Sequence, residues 1–313
     1  MAQSAAHLRL AESNPDVVRV APALDASDAE KKAFFTSAAD CIRTNGVAIL
    51  ENVIPSAVID EVLAHFKATY DLHMRPGQKK LFRNDQDDPL RAQIPVAPTG
   101  AMANPMMFAN PWVMPLVHEF IGKKVIIGEM GAVISHPGSQ PQYIHRDSHF
   151  LFGGIPAEFD LPPHSLNIVV PLMDVPFEMG PTEYWPGSHK RTDSDAVTAT
   201  PPKRVAFKKG TAFMLDARLL HRGGPNNSNV VRPTVYIDYQ RPWYLERSGY
   251  KDKPQVRVTQ TMVDALAPEH RSLFDWALHL NRTDSVDEFL TRWAGRVKTR
   301  LMDPLARRFG ARK

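Results

Sequence analysis

Cysteine is all but absent: Cys41 is the only one in 313 residues. A lone thiol excludes a disulfide framework, CxxC redox chemistry and every multi-cysteine zinc site. No apolar run approaches the roughly 18 residues that a membrane span requires. The first residues, MAQSAAHLRLAESN, lack a basic segment followed by an apolar stretch, so no secretory leader is expected. There is no GxSxG elbow for acyl transfer, no GxGxxG for dinucleotides and no GxxxxGK(S/T) for nucleoside triphosphates. What remains is ordinary globular usage, with 43% hydrophobic and 23% charged residues. That composition excludes a disordered or fibrous chain and supplies a core without staples. A soluble cytoplasmic protein with no membrane partner is the expectation.

The net charge of +4 raises the question of a nucleic-acid partner, and the position of the charge answers it. Between Arg292 and Lys313, eight basic residues face one acid, Asp303, so this stretch carries +7 and the rest of the chain −3. A basic terminus on a slightly acidic body is not the charged stripe with stacking aromatics that binds DNA or RNA, and no nucleic-acid partner is expected. The terminal basic helix reads either as a solvated face or as a contact with a partner; a homodimer is the expected assembly.

Residues 1–24 are Ala-rich and aperiodic and read as a loose arm. The spacing of Phe34, Ala38, Cys41 and Ile42 predicts a helix over 28–44, stopped by Asn45-Gly46. A short strand at 47–50 and a second helix opened by Pro55-Ser56 follow. From 77 to 115 periodicity vanishes while Pro and Met accumulate, among them Met106 and Met107. Such a segment reads as a lid or binding loop, with the methionines either shaping an apolar pocket or filling gaps in the core. Between about 123 and 240, short β-branched runs alternate with turn residues: 125–135, 165–171, 182–185, 204–207, 211–215 and 234–239. This spacing predicts a sandwich or barrel. Helical periodicity returns over 261–274 and 285–302, so 260–313 reads as C-terminal helices. The expectation is a single domain, mainly β with flanking helices.

The chemistry-bearing residues begin in Gln142-Tyr-Ile-His145-Arg-Asp147-Ser-His149, placed where a strand is expected. Side chains two apart on a strand share a face, so His145 and Asp147 can offer an imidazole and a carboxylate to one metal ion. With 12 histidines in the chain, about one HxD triplet arises by chance, and alone it signals little. A second histidine, His221, ends a β run, and Arg232 follows eleven residues later. Two histidines and a carboxylate on one face of an octahedron leave three positions open, as in non-haem Fe(II) oxygenases. An arginine can hold the carboxylate of a co-substrate at such a centre. Singly, His221 also reads as a satisfied core histidine and Arg232 as a surface ion-pair partner; a zinc hydrolase could use the same two His and one Asp.

Taken together, from about Gly46 to Tyr239, these residues resemble the phytanoyl-CoA dioxygenase family of Fe(II)/2-oxoglutarate enzymes. The turn Gly180-Pro-Thr-Glu-Tyr-Trp-Pro186-Gly187-Ser188-His189 strengthens the resemblance. So does the 76-residue gap between His145 and His221, similar to that of the natural-product-tailoring branch. The resemblance implies a double-stranded β-helix, a cupin-like jelly roll. It implies His145, Asp147 and His221 as ligands of Fe(II), and Arg232, Thr182 and Gln142 as residues for 2-oxoglutarate, with O2 as second co-substrate and ascorbate as an assay reductant. Since Asp147 is present, halogenation, which needs a small residue there, is not expected. His149 could replace a ligand or line the pocket; the family pattern places His149 and Phe150 near the substrate. Together with Met106 and Met107 they imply a roomy apolar pocket and a bulky hydrophobic small molecule. An acyl-CoA or a compact polar amine or amino acid stays open as a substrate, and a non-catalytic jelly-roll binding protein is the reading from another class.

Overall fold

The computed structural model describes residues 12–75, 88–244 and 256–281. Its strands are β1 (Glu12–Ser13), β2 (Val18–Val20), β3 (Val47–Glu51), β4 (Arg91–Pro95), β5 (Ile126–Ser135), β6 (Ser165–Pro171), β7 (Glu183–Tyr184), β8 (Lys203–Arg204), β9 (Ala212–Asp216), β10 (His221–Arg222) and β11 (Arg232–Gln240). Seven of them form one sheet in the order β2-β3-β9-β6-β11-β5-β4, and four form a smaller one, β1-β8-β7-β10. The helices are α1 (Asp28–Asn45), α2 (Ser56–Thr69), α3 (Pro105–Phe108), α4 (Met114–Phe120), α5 (Ser194–Thr198), α6 (Gln260–Asp264), α7 (Pro268–Arg271) and α8 (Asp275–Asn281). None of the described helices is long and apolar enough to cross a membrane.

Alternation along the large sheet sorts its side chains. Val235, Ile237 and Tyr239 of β11 and Leu166, Ile168 and Val170 of β6 enter the main apolar core, on the side where α1 packs against β3 and β9, and α8 against β5. Their neighbours Thr234, Tyr236, Asp238, Asn167 and Val169 face a cavity between the two sheets. Where the small sheet meets the large one, a second core forms: Tyr184 of β7 and Phe207 pack on Phe213 of β9 with ring centroids 5.5 and 5.6 Å apart. Two facing sheets with helices on one outer side make the expected double-stranded β-helix jelly roll.

Helix α1 starts on a capping box, Ser27 with Glu30, and ends at Gly46 with φ 75°, whose N–H donates to the Ile42 carbonyl. A Cβ at Gly46 would lie 2.5 Å from His189 Nδ1 and 2.9 Å from Leu219 Cδ1. Left-handed strain and overpacking therefore act together, and Gly46→Ala is expected to cost about 2–4 kcal/mol. The midpoint of urea unfolding, at unchanged slope, measures that loss.

The expected strands at 165–171 and 47–50 and the helix at 28–44 are present, within a residue at their ends. The predicted helix near 261–274 is broken into α6, α7 and a 3-10 turn, with Pro268 opening the second piece. The aperiodic segment 77–115 is, from residue 88 onward, built into the fold as β4, a 3-10 turn, α3 and the start of α4. The expectation that Met106 and Met107 line a pocket is corrected: Met107 is buried in the main core and Met106 packs against it, because α3 fills a gap beside the large sheet. Residues 1–11 of the expected arm, Pro76, 77–87 of the expected lid and 282–313, with the basic terminal helix, lie outside the described residues.

Candidate active site

The segment Gln142–His149 is not the regular strand that spacing predicts; one backbone bridge does the strand's work. The His145 N–H donates to the His221 carbonyl and the His221 N–H to the His145 carbonyl, both at 3.0 Å. This is a hydrogen-bonded antiparallel pair, so side chains 76 residues apart in sequence stand side by side, with ring centroids 4.5 Å apart. Three supports hold the pair in place. The Leu220 N–H donates to Ser188 Oγ at 2.9 Å, the Trp185 N–H to the Leu220 carbonyl at 3.0 Å, and the Arg146 guanidinium to the Ser188 and Arg191 carbonyls at 2.8 and 2.7 Å. The Pro186-Gly187-Ser188 turn therefore braces both histidines. His189, beside it, is structural: its ring lies against α1, with Nε2 3.3 Å from the Arg43 carbonyl.

Each histidine directs Nδ1 at a backbone carbonyl, His145 at Tyr143 (2.9 Å) and His221 at Leu219 (3.0 Å). A carbonyl only accepts, so Nδ1 carries the proton and Nε2 of the neutral ring keeps its lone pair. Both Nε2 atoms lie 3.5 Å from Asp147 Oδ1. The other oxygen, Oδ2, accepts from Asn167 Nδ2 at 2.9 Å. One donor atom from each of the three residues lies within 4.8 Å of the others. Burial alone would raise the Asp147 carboxyl, but His221, His145 and Asn167 outweigh it and hold it well below the usual carboxylate range. Burial lowers His221. At His145 burial pulls the same way, and the hydrogen bond and charge of Asp147 overcome it to leave the imidazole above its ordinary value.

At the other end of the inner sheet face, Arg91, Ser135 and Arg232 are cross-strand neighbours on β4, β5 and β11. Both guanidinium groups are buried and line the cavity, donating to Ser135 Oγ at 2.6 and 2.9 Å and to the carbonyls of Gln140, Gly224 and Met179. Among the described residues no carboxylate is ion-paired with either, and both Nε atoms lack a hydrogen-bond partner. Burial, with Arg91 adding like charge, pulls Arg232 down to about 9. Burial, opposed by Asp88, pulls Arg91 to about 10. Both remain cationic at neutral pH, a doubly positive, water-poor wall that favours a carboxylate.

Gln142 lines the cavity, and its Oε1 accepts from the Gly223 N–H at 2.8 Å. Thr182 and the exposed His149 line it as well. His149 is not part of the three-donor group. Phe150 packs edge-on against Phe159, 5.6 Å away, beneath the Arg146 guanidinium rather than on the cavity wall. The cavity, of about 730 Å³, is walled by Val133, Val169, Val175, Phe207 and Leu220 together with the polar Gln93, Glu129, Asn167, Tyr236 and Asp238. These residues and Arg91 escaped the sequence reading. Their signal was the alternation itself, since β11 reads polar at 232, 234, 236, 238 and 240 and apolar between. With Asn167 fixing Asp147, Asn167→Leu is expected to weaken Fe(II) or Mn(II) binding about 10- to 100-fold, as read by metal titration, with the fold intact.

A family model described as Phytanoyl-CoA dioxygenase (PhyH) matches residues 42–234, more than half of the chain. The chain belongs to the PhyH family. Every residue of the three-donor group and of the arginine pair falls within the PhyH match. Two curated fungal relatives are similar over shorter stretches. Dioxygenase hkm4 of Aspergillus hancockii is 28% identical over 165 residues, 48% of this chain and 53% of its own. The iron/alpha-ketoglutarate-dependent dioxygenase penM of Penicillium thymicola is 32% identical over 97 residues, 30% of this chain and 31% of its own. The chain thus spans about half, or less, of the length of the curated relatives it matches. Among solved structures, the epimerase SnoN in complex with Fe3+, alpha ketoglutarate and nogalamycin RO superposes with TM-score 0.56 at 18% identity, covering 69% of this chain and 88% of SnoN. That likeness places the PhyH jelly roll of this chain in a known fold.

Proposed function

We propose that this chain is an Fe(II)/2-oxoglutarate-dependent dioxygenase that oxidises a small molecule. One observation carries the reading: a buried His-Asp-His donor set and a buried arginine pair that, among the described residues, has no carboxylate ion-paired with it share one cavity. The donor set fits ferrous iron. Two neutral imidazoles with Nε2 lone pairs and one ionised carboxylate make the facial arrangement that leaves coordination positions open. Curated relatives named as dioxygenases, one of them iron/alpha-ketoglutarate-dependent, support it, as does SnoN with alpha ketoglutarate bound.

His145, Asp147 and His221 would hold the iron. Bound there with 2-oxoglutarate and O2, it supplies an oxidation in which the keto acid becomes succinate and carbon dioxide while the substrate is oxidised. The rest is done by the chain's own groups. The Tyr143 and Leu219 carbonyls keep both imidazoles in the tautomer that exposes Nε2, and Asn167 fixes the rotation of the Asp147 carboxylate. Arg232 pairs with the distal carboxylate of 2-oxoglutarate, Arg91 adds a second positive charge beside it, and Gln142 and Thr182 offer hydrogen bonds to the remaining oxygens. The arginines' burial excludes water from that pair and makes it worth more than the same contact on a surface.

The test is succinate formation from 2-oxoglutarate under air, with added Fe(II) and ascorbate, and with a chelator as control. Succinate that appears only with Fe(II) is expected. No succinate above the chelated control, with a panel of candidate substrates present, would reject the reading.

A further inference from the structure

Ser135 ends β5 between two arginines. It lies cross-strand from Arg91 of β4 on one side and from Arg232 of β11 on the other. Val133, two positions earlier on the same strand face, lines the cavity. The Ser135 side chain is fully buried. Arg91 Nη1 donates to its Oγ at 2.6 Å and Arg232 Nη2 at 2.9 Å. A hydroxyl has two lone pairs and one proton, so both lone pairs are spent on guanidinium groups. Only the proton is left, and among the described residues no acceptor takes it.

The surrounding bonds make a fixed unit of these three residues. Arg91 Nη2 is held by the Gln140 and Gly224 carbonyls at 2.6 and 3.1 Å, and Arg232 Nη1 by the Met179 carbonyl at 2.7 Å. Asn226, also buried, donates through Nδ2 to the Ser135 carbonyl at 3.0 Å and to the Val230 carbonyl at 2.8 Å. The backbone at Ser135 is thereby tied to the loop that leads into Arg232. Besides the Ser135 proton, the Nε–H of each arginine is buried without a hydrogen-bond partner. Two positive charges and three idle donors around one hydroxyl call for an acceptor, and an anion satisfies both needs.

We infer that Ser135 is the positioning residue that joins Arg91 and Arg232 into a single receptor for the distal carboxylate of 2-oxoglutarate. The inference rests on the dioxygenase reading for the identity of that anion. Two like charges held close together away from water repel each other, and the hydroxyl oxygen between them offsets part of that repulsion and sets their spacing. Alanine removes the shared acceptor, leaves one N–H of each guanidinium unsatisfied and lets the two forks part.

A comparison of two keto acids tests this. 2-Oxoglutarate and 2-oxopentanoate, which has the same chain length but no distal carboxylate, are titrated calorimetrically into the full chain loaded with Fe(II) under anaerobic conditions. In Ser135→Ala, 2-oxoglutarate is expected to bind about 10- to 100-fold more weakly than in the wild type, while 2-oxopentanoate changes less than about threefold. Ser135→Thr keeps the hydroxyl and should restore most of the loss. Should Ser135→Ala not fold, Ser135→Cys, similar in size but with a weak sulfur acceptor, carries the same comparison. A role confined to holding the sheet together predicts an equal loss for both keto acids, and that result would overturn the inference, as would 2-oxoglutarate affinity unchanged in the variants. Wild-type protein that binds neither keto acid would overturn the dioxygenase reading and this one with it; wild-type binding with no selective loss at Ser135 counts against Ser135 alone.

Discussion

Alanine at His221 is expected to abolish succinate formation while leaving the protein folded. The imidazole supplies one of three donor atoms, and its loss leaves a bidentate His145–Asp147 pair. The drop in metal affinity should exceed the roughly 10- to 100-fold that losing an outer hydrogen-bond partner costs. The same substitution at His145 is expected to act alike, since the two Nε2 atoms are equivalent in their 3.5 Å approach to Asp147 Oδ1. Circular dichroism distinguishes this from unfolding: the bridge between the two residues is made by backbone groups, which alanine retains. Succinate output in His221→Ala equal to that of the wild type would mean the metal lies elsewhere.

Methionine at Arg232 is expected to act on the co-substrate instead. The side chain keeps its apolar volume but loses the planar fork, and the distal carboxylate of 2-oxoglutarate is left buried without its partner. Breaking such a buried pair costs about 3–5 kcal/mol, which converts to a KM for 2-oxoglutarate raised about 100- to 4000-fold. Arg91, sharing Ser135 Oγ with Arg232, stays behind as a second cation and keeps binding from vanishing. Arg232→Lys restores charge without the fork and should recover only part of the loss. Affinity for the metal, measured without 2-oxoglutarate, is expected to stay within a few-fold, because Arg232 contacts none of the three donors. A KM unchanged in Arg232→Met would remove the arginine from the co-substrate site.

Much of this was legible in the sequence, and the reasons are physical. Strand β6 and helix α1 announce themselves because alternation, capping chemistry and the Asn45-Gly46 stop are local properties. The candidate donors are legible because HxD, His221 and Arg232 carry fixed spacings. What failed depended on tertiary context. Gln142–His149 was expected to be regular strand, yet a single bridge to His221 suffices, because Arg146 and the Pro186-Gly187 turn hold the segment from outside. Met106 and Met107 were read as pocket residues from composition, whereas their direction is set by where α3 packs. Arg91 lay in a stretch with no periodicity long enough to reveal a strand, and only its pairing with β5 brings it beside Arg232. The polar inner face of β11 was visible as alternation, but which face meets helices and which meets the cavity is decided by α1 and α8, far away in sequence.

The central claim is that one cavity holds a metal by its triad and 2-oxoglutarate by metal and arginine together. Calorimetric titration of 2-oxoglutarate into the anaerobic protein, with and without Fe(II), tests it most directly. Binding that requires Fe(II) in the wild type, is lost in Asp147→Ala, and is weakened at least about 100-fold in Arg232→Met despite bound metal is the predicted result. Equal affinity with and without Fe(II), unchanged in both variants, would contradict the account.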